Sequence, residues 1–381
     1  MSSREPSRRR RGRRRLEQAG GAGREMSLAG VALVLVLFAG ALVLWQIDAT
    51  AGGGAGGAKT VGVADHGAGA TPKDPSADET TPGPPAPLTG LPTTTGLDHP
   101  AVVVKISNTP AAHPHRGLGD ADIVFVEPIT GATTRLAAIF HSTLPAEIGP
   151  VRSLRPMDAP IAGPTRGVLA NTMGQQWVVD HVDATADVAN IGTLRVPRGT
   201  YHLDDTRTSP NHVFAQPDEL IRLSERTEPP APFFRYADGV EGSSPQQNGS
   251  AASAVTIGYG GTSTATWSYD AQRGRWLRSE DWSEHVLENG EQVAADNVIV
   301  LRAARDWSFP QADAAMIILD LVDASGSLQL FTGDAVINGS WSKAGPNEPF
   351  EFTTEDGDPL LLAPGSTWVE MPLDTMSVTA R

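Results

Sequence analysis

Three arginines within one short stretch, Arg135, Arg152 and Arg155, are the side chains of this sequence best suited to gripping an anion. A guanidinium offers a planar fork of N–H donors that can hold a phosphate, diphosphate or carboxylate by two bonds at once. Arg152 and Arg155 follow a Gly149-Pro150 entry and precede Pro156, and the turn that begins at Gly131 leads into Arg135. The competing arrangement pairs these arginines with Asp122, Glu127 or Asp158 and uses them to pin strands together. Sequence alone leaves both open.

A second polar stretch, Tyr201 to Phe214, carries His202, Arg207, Asn211 and His212. His202 beside Asp204 or Asp205 could serve as a base with its orienting acid, whereas Asp and Ser in the same stretch could equally cap local turns. His113-Pro114-His115 has only two of the ligands a metal site requires, so no metal is assigned. Ser153 lacks the glycines of a nucleophile elbow, which disfavours a serine hydrolase. No cofactor motif is present.

The elements that must position these residues are short. Val102–Ile106, Asp122–Glu127, Arg135–Phe140 and Gly167–Ala170 read as buried strands. A helix is expected over Gln175–Val182, and another from Pro217, with proline in its first turn and Asp218 and Glu219 at its positive end, to about Arg226. Residues 229–252 read as a linker. Beyond them Val255–Tyr259, Ala265–Tyr269, Asn297–Leu301 and Met316–Leu319 read as strands, with turns at Arg273-Gly274, Ser325-Gly326 and Asp356-Gly357. Six of the eight tryptophans fall in this last part, where packing in a β core is favoured over sugar stacking. The expected fold is an α+β domain over residues 88–228 and a mainly-β sandwich or barrel over residues 253–381.

Composition places these domains outside the cytoplasm. Met26 to Ile47 is uncharged and apolar, long enough as a helix to cross a bilayer, and nine arginines precede it. Residues 1–25 are therefore expected inside, 26–47 as a single transmembrane helix, and the remainder outside, behind an Ala/Gly/Pro stalk at 48–87. Cleavage after Ala51 as a signal peptide is the rival. Beyond residue 25 the chain keeps 21 basic against 41 acidic residues, a formal charge of −20, which disfavours nucleic acid as a partner. Cysteine is absent, which excludes disulfides and thiolate chemistry.

Four blocks carry a family resemblance: PLTGLP at 87–92, the segment 116–156 that ends in Gly149-Pro-Val-Arg-Ser-Leu-Arg-Pro156, YHLDDTRTSPNHVFAQPDEL at 201–220, and the segment 333–371. Together they resemble the YerB-like family of bacterial extracytoplasmic proteins, built from paired amino- and carboxy-terminal domains of unknown function. The resemblance implies an envelope protein and names no activity. Many relatives look like lipoproteins held by a cysteine, which this chain lacks. Asn211 and His212 also stand in the reverse of the family's order.

The combined reading is a membrane-anchored envelope protein that binds or scaffolds an envelope glycan, a phosphate-bearing envelope molecule or another exported protein. The alternative is an enzyme acting on a phosphate-linked envelope intermediate through an arginine-lined anion site. A reporter active only outside the cytoplasm, fused after Arg381, should be active and stay with the membrane fraction; recovery of the intact unit in the medium would show cleavage after Ala51 instead.

Overall fold

The computed structural model describes residues 83–93 and 96–381, so the expected transmembrane helix at 26–47 and most of the stalk lie outside the described residues. Among the described residues no helix is long and apolar enough to cross a membrane. The strands of the first half are β1 (Val102–Asn108), β2 (Ile123–Ile129), β3 (Thr133–Phe140), β4 (Val168–Asn171), β5 (Ala189–Gly192), β6 (His202–Leu203) and β7 (Val213–Phe214). Those of the second half are β8 (Ser250–Ala251), β9 (Ala254–Gly260), β10 (Ser263–Asp270), β11 (Arg275–Glu280), β12 (Ala294–Ala295), β13 (Asn297–Leu301), β14 (Ala324–Thr332), β15 (Ala335–Lys343), β16 (Glu351–Thr354), β17 (Thr367–Glu370) and β18 (Val378–Ala380). Among the described residues there are four short α-helices, α1 (Asp158–Ala162), α2 (Gln176–Thr185), α3 (Pro217–Ser224) and α4 (Ser244–Asn248), besides four single-turn 3-10 helices. The described chain is mostly β.

An eleven-stranded mixed sheet runs β16-β15-β14-β13-β17-β2-β3-β1-β4-β5, with β8 on β15. Its halves meet where β17 pairs parallel with β2, from Thr367↔Ile123 to Glu370↔Val126. Strands distant in sequence thus share one sheet. A five-stranded sheet, β12-β11-β10-β9-β18, lies beside it.

Period-two alternation sorts the strand residues between two cores. Val103, Phe125, Ile139, Leu169, Ile299 and Val369 face one way, with Met157, Ile161, Val178 and Val182 of the α1 and α2 region packed on them. Val102, Val104, Val124, Val126, Val298 and Trp368 face the other, against Val255, Ile257, Trp267 and Trp276 of the smaller sheet. Both faces are covered, which is why β1 and β2 read as continuous apolar runs. Trp267, Trp276 and Trp341 are fully buried packing, and Trp282 and Trp307 are exposed.

Two local expectations fail. Met316–Leu319 forms no strand, although Ile318 and Leu319 are buried. The Met316 carbonyl accepts from the Arg305 guanidinium and its N–H is held by Asp313, so backbone pairing is confined to a single bridge between Leu319 and Arg305. Ser325-Gly326 is no turn either, because both residues lie inside β14. A Cβ on Gly326 would meet the Arg302 carbonyl at 2.4 Å and Trp341 Nε1 at 2.6 Å, so this glycine serves close packing.

The shared sheet has a consequence for dissection. Residues 83–252 made without the rest should stay unfolded, because β2 loses its neighbour β17 and both cores are cut. Adding residues 253–381 should restore strand signal by circular dichroism and dispersed amide resonances; a stably folded first fragment would refute the dependence.

Candidate functional site

The strands β13, β17, β2, β1, β4 and β5 all point one way, with antiparallel β3 between β2 and β1. Their carboxyl ends therefore share one edge, where ligands of open sheets usually bind. Residues 151–156 cross that edge as a strap: Arg152 N–H donates to the Lys105 carbonyl at 2.8 Å, Thr172 N–H to the Arg152 carbonyl at 3.0 Å, and Leu154 N–H to the Met173 carbonyl at 2.8 Å. The strap carries Arg152 and Arg155 to the start of β3, where Arg135 lies. The return to it runs through residues 141–147, which form no hairpin.

The three guanidiniums converge. Arg135 is buried and donates to the Ser153 carbonyl at 3.1 Å. Burial first, then the neighbouring Arg155 and Arg152, push it down to about 9, so it stays charged at neutral pH. Arg152 is half-buried and also lowered, by burial and by Arg155, and its Nε has no partner. Arg155, half-buried as well, donates to the Leu154 carbonyl at 2.8 Å. Among the described residues none of the three forms an ion pair. The expected pairs with Asp122, Glu127 and Asp158 are not made.

Those acids are already committed. Asp122 Oδ2 accepts the backbone N–H groups of His141 at 2.6 Å and Ser142 at 2.9 Å, at the opposite end of β2, and burial pushes its carboxyl up to about 6. Glu127 and Asp158 both lie 2.6 Å from the Lys105 ammonium, and all three are buried. Glu127 stands opposite Arg135 in the β2–β3 ladder and Ser107 stands opposite it in the β1–β3 ladder, so Lys105, Glu127 and Arg135 share one face. Burial and the Asp158 charge together outweigh Lys105 and push the Glu127 carboxyl upward. Four cations thus face two carboxyls, one of them driven toward its neutral form. Such an edge attracts a multivalent anion.

The polar stretch divides. Arg152 Nη1 meets the Pro210 carbonyl at 3.5 Å, which places the loop with buried Asn211 and with His212 beside the arginines. Asn211 Oδ1 and His212 Nδ1 are without partners. His202 and Arg207 belong elsewhere. His202 Nδ1 lies 2.6 Å from Glu147, not from Asp204 or Asp205, so the expected base-and-acid pair is not formed. Arg207 donates to the Ala112 and Pro114 carbonyls at 3.1 and 2.7 Å. Both lie near Arg116, which bridges Glu147, Asp204 and Glu288 at 2.6 to 2.9 Å.

The DUF3048 N-terminal domain, described as a protein of unknown function, matches residues 88–229, and its C-terminal partner matches residues 255–369. The chain belongs to the YerB-like family. The YerB protein of Bacillus subtilis (strain 168), named as a candidate lipoprotein, is 26% identical over 307 residues, covering 77% of this chain and 88% of that one. The crystal structure of YerB from Bacillus subtilis has a TM-score of 0.66 at 24% identity, over 77% of this chain and 99% of that chain. The family's two domains meet in the shared sheet here.

Two features escaped the sequence reading. Lys105 looked like one residue of an apolar strand, and its only signal was a charge in the middle of Val102–Ile106. His285 had none. The fold places it against His113 and His115, whose ligand atoms and its own all lie within 4.8 Å of one another.

Removing the ammonium should expose the cost of the acids. Lys105→Met should lower stability at pH 7 by about 3–5 kcal/mol in urea denaturation, because two buried carboxyls lose their cation. A carboxyl raised on folding costs stability above its unfolded value and nothing below it. The deficit should therefore shrink toward pH 4.5, the ordinary value for Glu127, and widen as pH rises; a pH-independent deficit would show that the acids are not its source.

Proposed function

We propose that this protein is an extracytoplasmic envelope protein, anchored through residues 26–47, whose folded unit binds a phosphate-bearing ligand through Arg135, Arg152 and Arg155. One observation carries the reading: three guanidiniums converge at the carboxyl edge of the sheet while Lys105 holds the nearby acids Glu127 and Asp158. A cluster of like charges with too little internal counter-charge is costly unless an anion from outside compensates it. The Ser153 and Thr172 hydroxyls, 3.3 Å apart, stand beside the strap as further donors. The lipoprotein name carried by YerB supports an envelope location.

Binding is favoured over catalysis for a specific reason. Glu127 and Asp158 are fully buried and engaged with Lys105, so neither offers a solvent-facing acid or base to a bound phosphate. The bound molecule on this reading is an anionic envelope component or the phosphate group of an envelope glycan.

Calorimetric titration with inorganic diphosphate at low salt tests the site. The wild-type chain should bind it, and Arg152→Ala and Arg155→Ala should each weaken binding about tenfold or more, the scale of a lost charge-assisted hydrogen bond. Both variants should keep the wild-type melting temperature to within a few degrees, since neither residue is fully buried or ion-paired. A large fall in melting temperature, with no diphosphate binding in the wild type to lose, would overturn the proposal.

A further inference from the structure

His113, His115 and His285 form a cluster that shares no side chain with the arginine strap. His113 and His115 leave the end of β1, and His285 comes from the loop between β11 and β12. His115 and His285 are completely buried, and His113 is half-buried under the edge of Trp282, with ring centroids 5.7 Å apart. His115 Nδ1 lies 2.8 Å from His285 Nε2. The ligand atoms of all three fall within 4.8 Å of one another. Four-coordinate zinc with bonds of 2.0–2.1 Å needs donors about 3.3 Å apart, so side-chain shifts of an ångström or less complete the set.

The surroundings are those of a metal site. A ligating imidazole is normally oriented by an acceptor at its other ring nitrogen. His115 Nε2 donates to the Ser107 carbonyl at 2.6 Å, and His113 Nε2 donates to Asn108 Oδ1 at 3.1 Å. Asn108 is itself fixed, its Nδ2 donating to Thr134 Oγ1 and to Glu280 Oε1, both at 2.7 Å. His285 Nδ1 lies 4.0 Å from Glu280 Oε1. Each histidine thus has an oxygen at or near its remote nitrogen. We propose that His113, His115 and His285 bind one divalent transition-metal ion, zinc by the chemistry of its donors, with a fourth position open.

Charge and protonation fit this assignment. Burial is the leading cause that lowers all three imidazoles, His113 to about 4, so they are neutral and ready to ligate at neutral pH. Among the described residues Arg278 is the cation in direct contact, with Nη1 3.0 Å from His285 Nδ1. It is held by two carboxylates, Glu280 and Glu370, which leaves that buried group one negative charge in excess. Arg207, whose guanidinium reaches the Pro114 carbonyl, has Asp204 and Glu288 at 3.9 and 3.7 Å. Without metal, Arg278 donates to His285 Nδ1, and His285 Nε2–H donates to His115 Nδ1. Metal binding at His285 Nε2 requires the tautomer with the proton on Nδ1, which lies 3.0 Å from Arg278 Nη1 and 4.0 Å from Glu280 Oε1, so Arg278 would have to give way before Glu280 could accept that N–H. No proton is lost to solvent in this tautomer change. A cleft of about 720 Å³ is lined by His115 together with Asp120, Glu147, Glu288 and Glu291 and with Arg116 and Arg275, so it reaches the cluster at His115.

The test uses the full chain without a histidine tag, stripped with EDTA and titrated with zinc or cobalt(II). One equivalent should bind, cobalt should give the visible spectrum of a four-coordinate ion, and zinc should raise the melting temperature. His113→Gln and His285→Gln should each abolish the cobalt spectrum, and the half-buried His113 variant should fold as wild type. Asn108→Ala, which touches no metal, should weaken zinc binding about 10–100-fold. Failure of the wild type to bind either ion, or unchanged binding in both histidine variants, would overturn the proposal and leave His115 and His285 as a hydrogen-bonded pair with the His113 ring against them. Diphosphate binding at the arginines is measured separately and is independent of this result.

Discussion

The Lys105 ammonium sits 2.6 Å from both Glu127 and Asp158, inside the sheet and away from water, and the character of the nearby edge follows from that placement. Two carboxyls and one ammonium cannot all be charged there without cost, so Glu127 is driven toward its protonated form. Because Lys105 engages both acids, Arg135, Arg152 and Arg155 are left to repel one another. A buried ion group of this kind adds little net stability. Its effect is on where free positive charge remains, and the strap from Val151 to Pro156 delivers that charge to the carboxyl edge.

The pairing of β17 with β2 has a comparable reach over the fold. It joins strands about 240 residues apart in sequence into one sheet and brings Glu370 at the end of β17 beneath the smaller sheet. There Glu370 receives Tyr259 Oη, Trp267 Nε1 and Arg278 Nε, so a single buried carboxylate ties three strands of the second layer to the first. Arg278 in turn links Glu280 and His285, and through Asn108 the network reaches the end of β1. The amino- and carboxy-terminal halves are thus held by apolar packing on both sheet faces and by a polar seam through the middle.

The two polar clusters stand on the same strand. Lys105 and Asn108 both belong to β1, one facing Asp158 and Glu127 and the other facing His113 and Glu280. A strand buried on both faces is a stiff support, and its polar end supplies the groups that need exact placement.

Sequence by itself determined the local matters. Continuous apolar runs marked β1, β2, β3 and β4 to within a few residues, Pro217 with Asp218 and Glu219 marked α3, and Asn297–Leu301 marked β13. These signals are local because burial and backbone preference act over a few residues. The arginine cluster was also legible, since its members are close in sequence. What the tertiary structure alone decided is which charge meets which. Lys105 meets Asp158 across 53 positions and His115 meets His285 across 170, and no spacing rule reaches that far. Met316–Leu319 and Gly326 show the same limit, because an apolar run can be satisfied by a guanidinium on its carbonyl, and a glycine can exist for a tryptophan packed on it. Local pattern encodes how much a residue is buried; strand order and register encode against what.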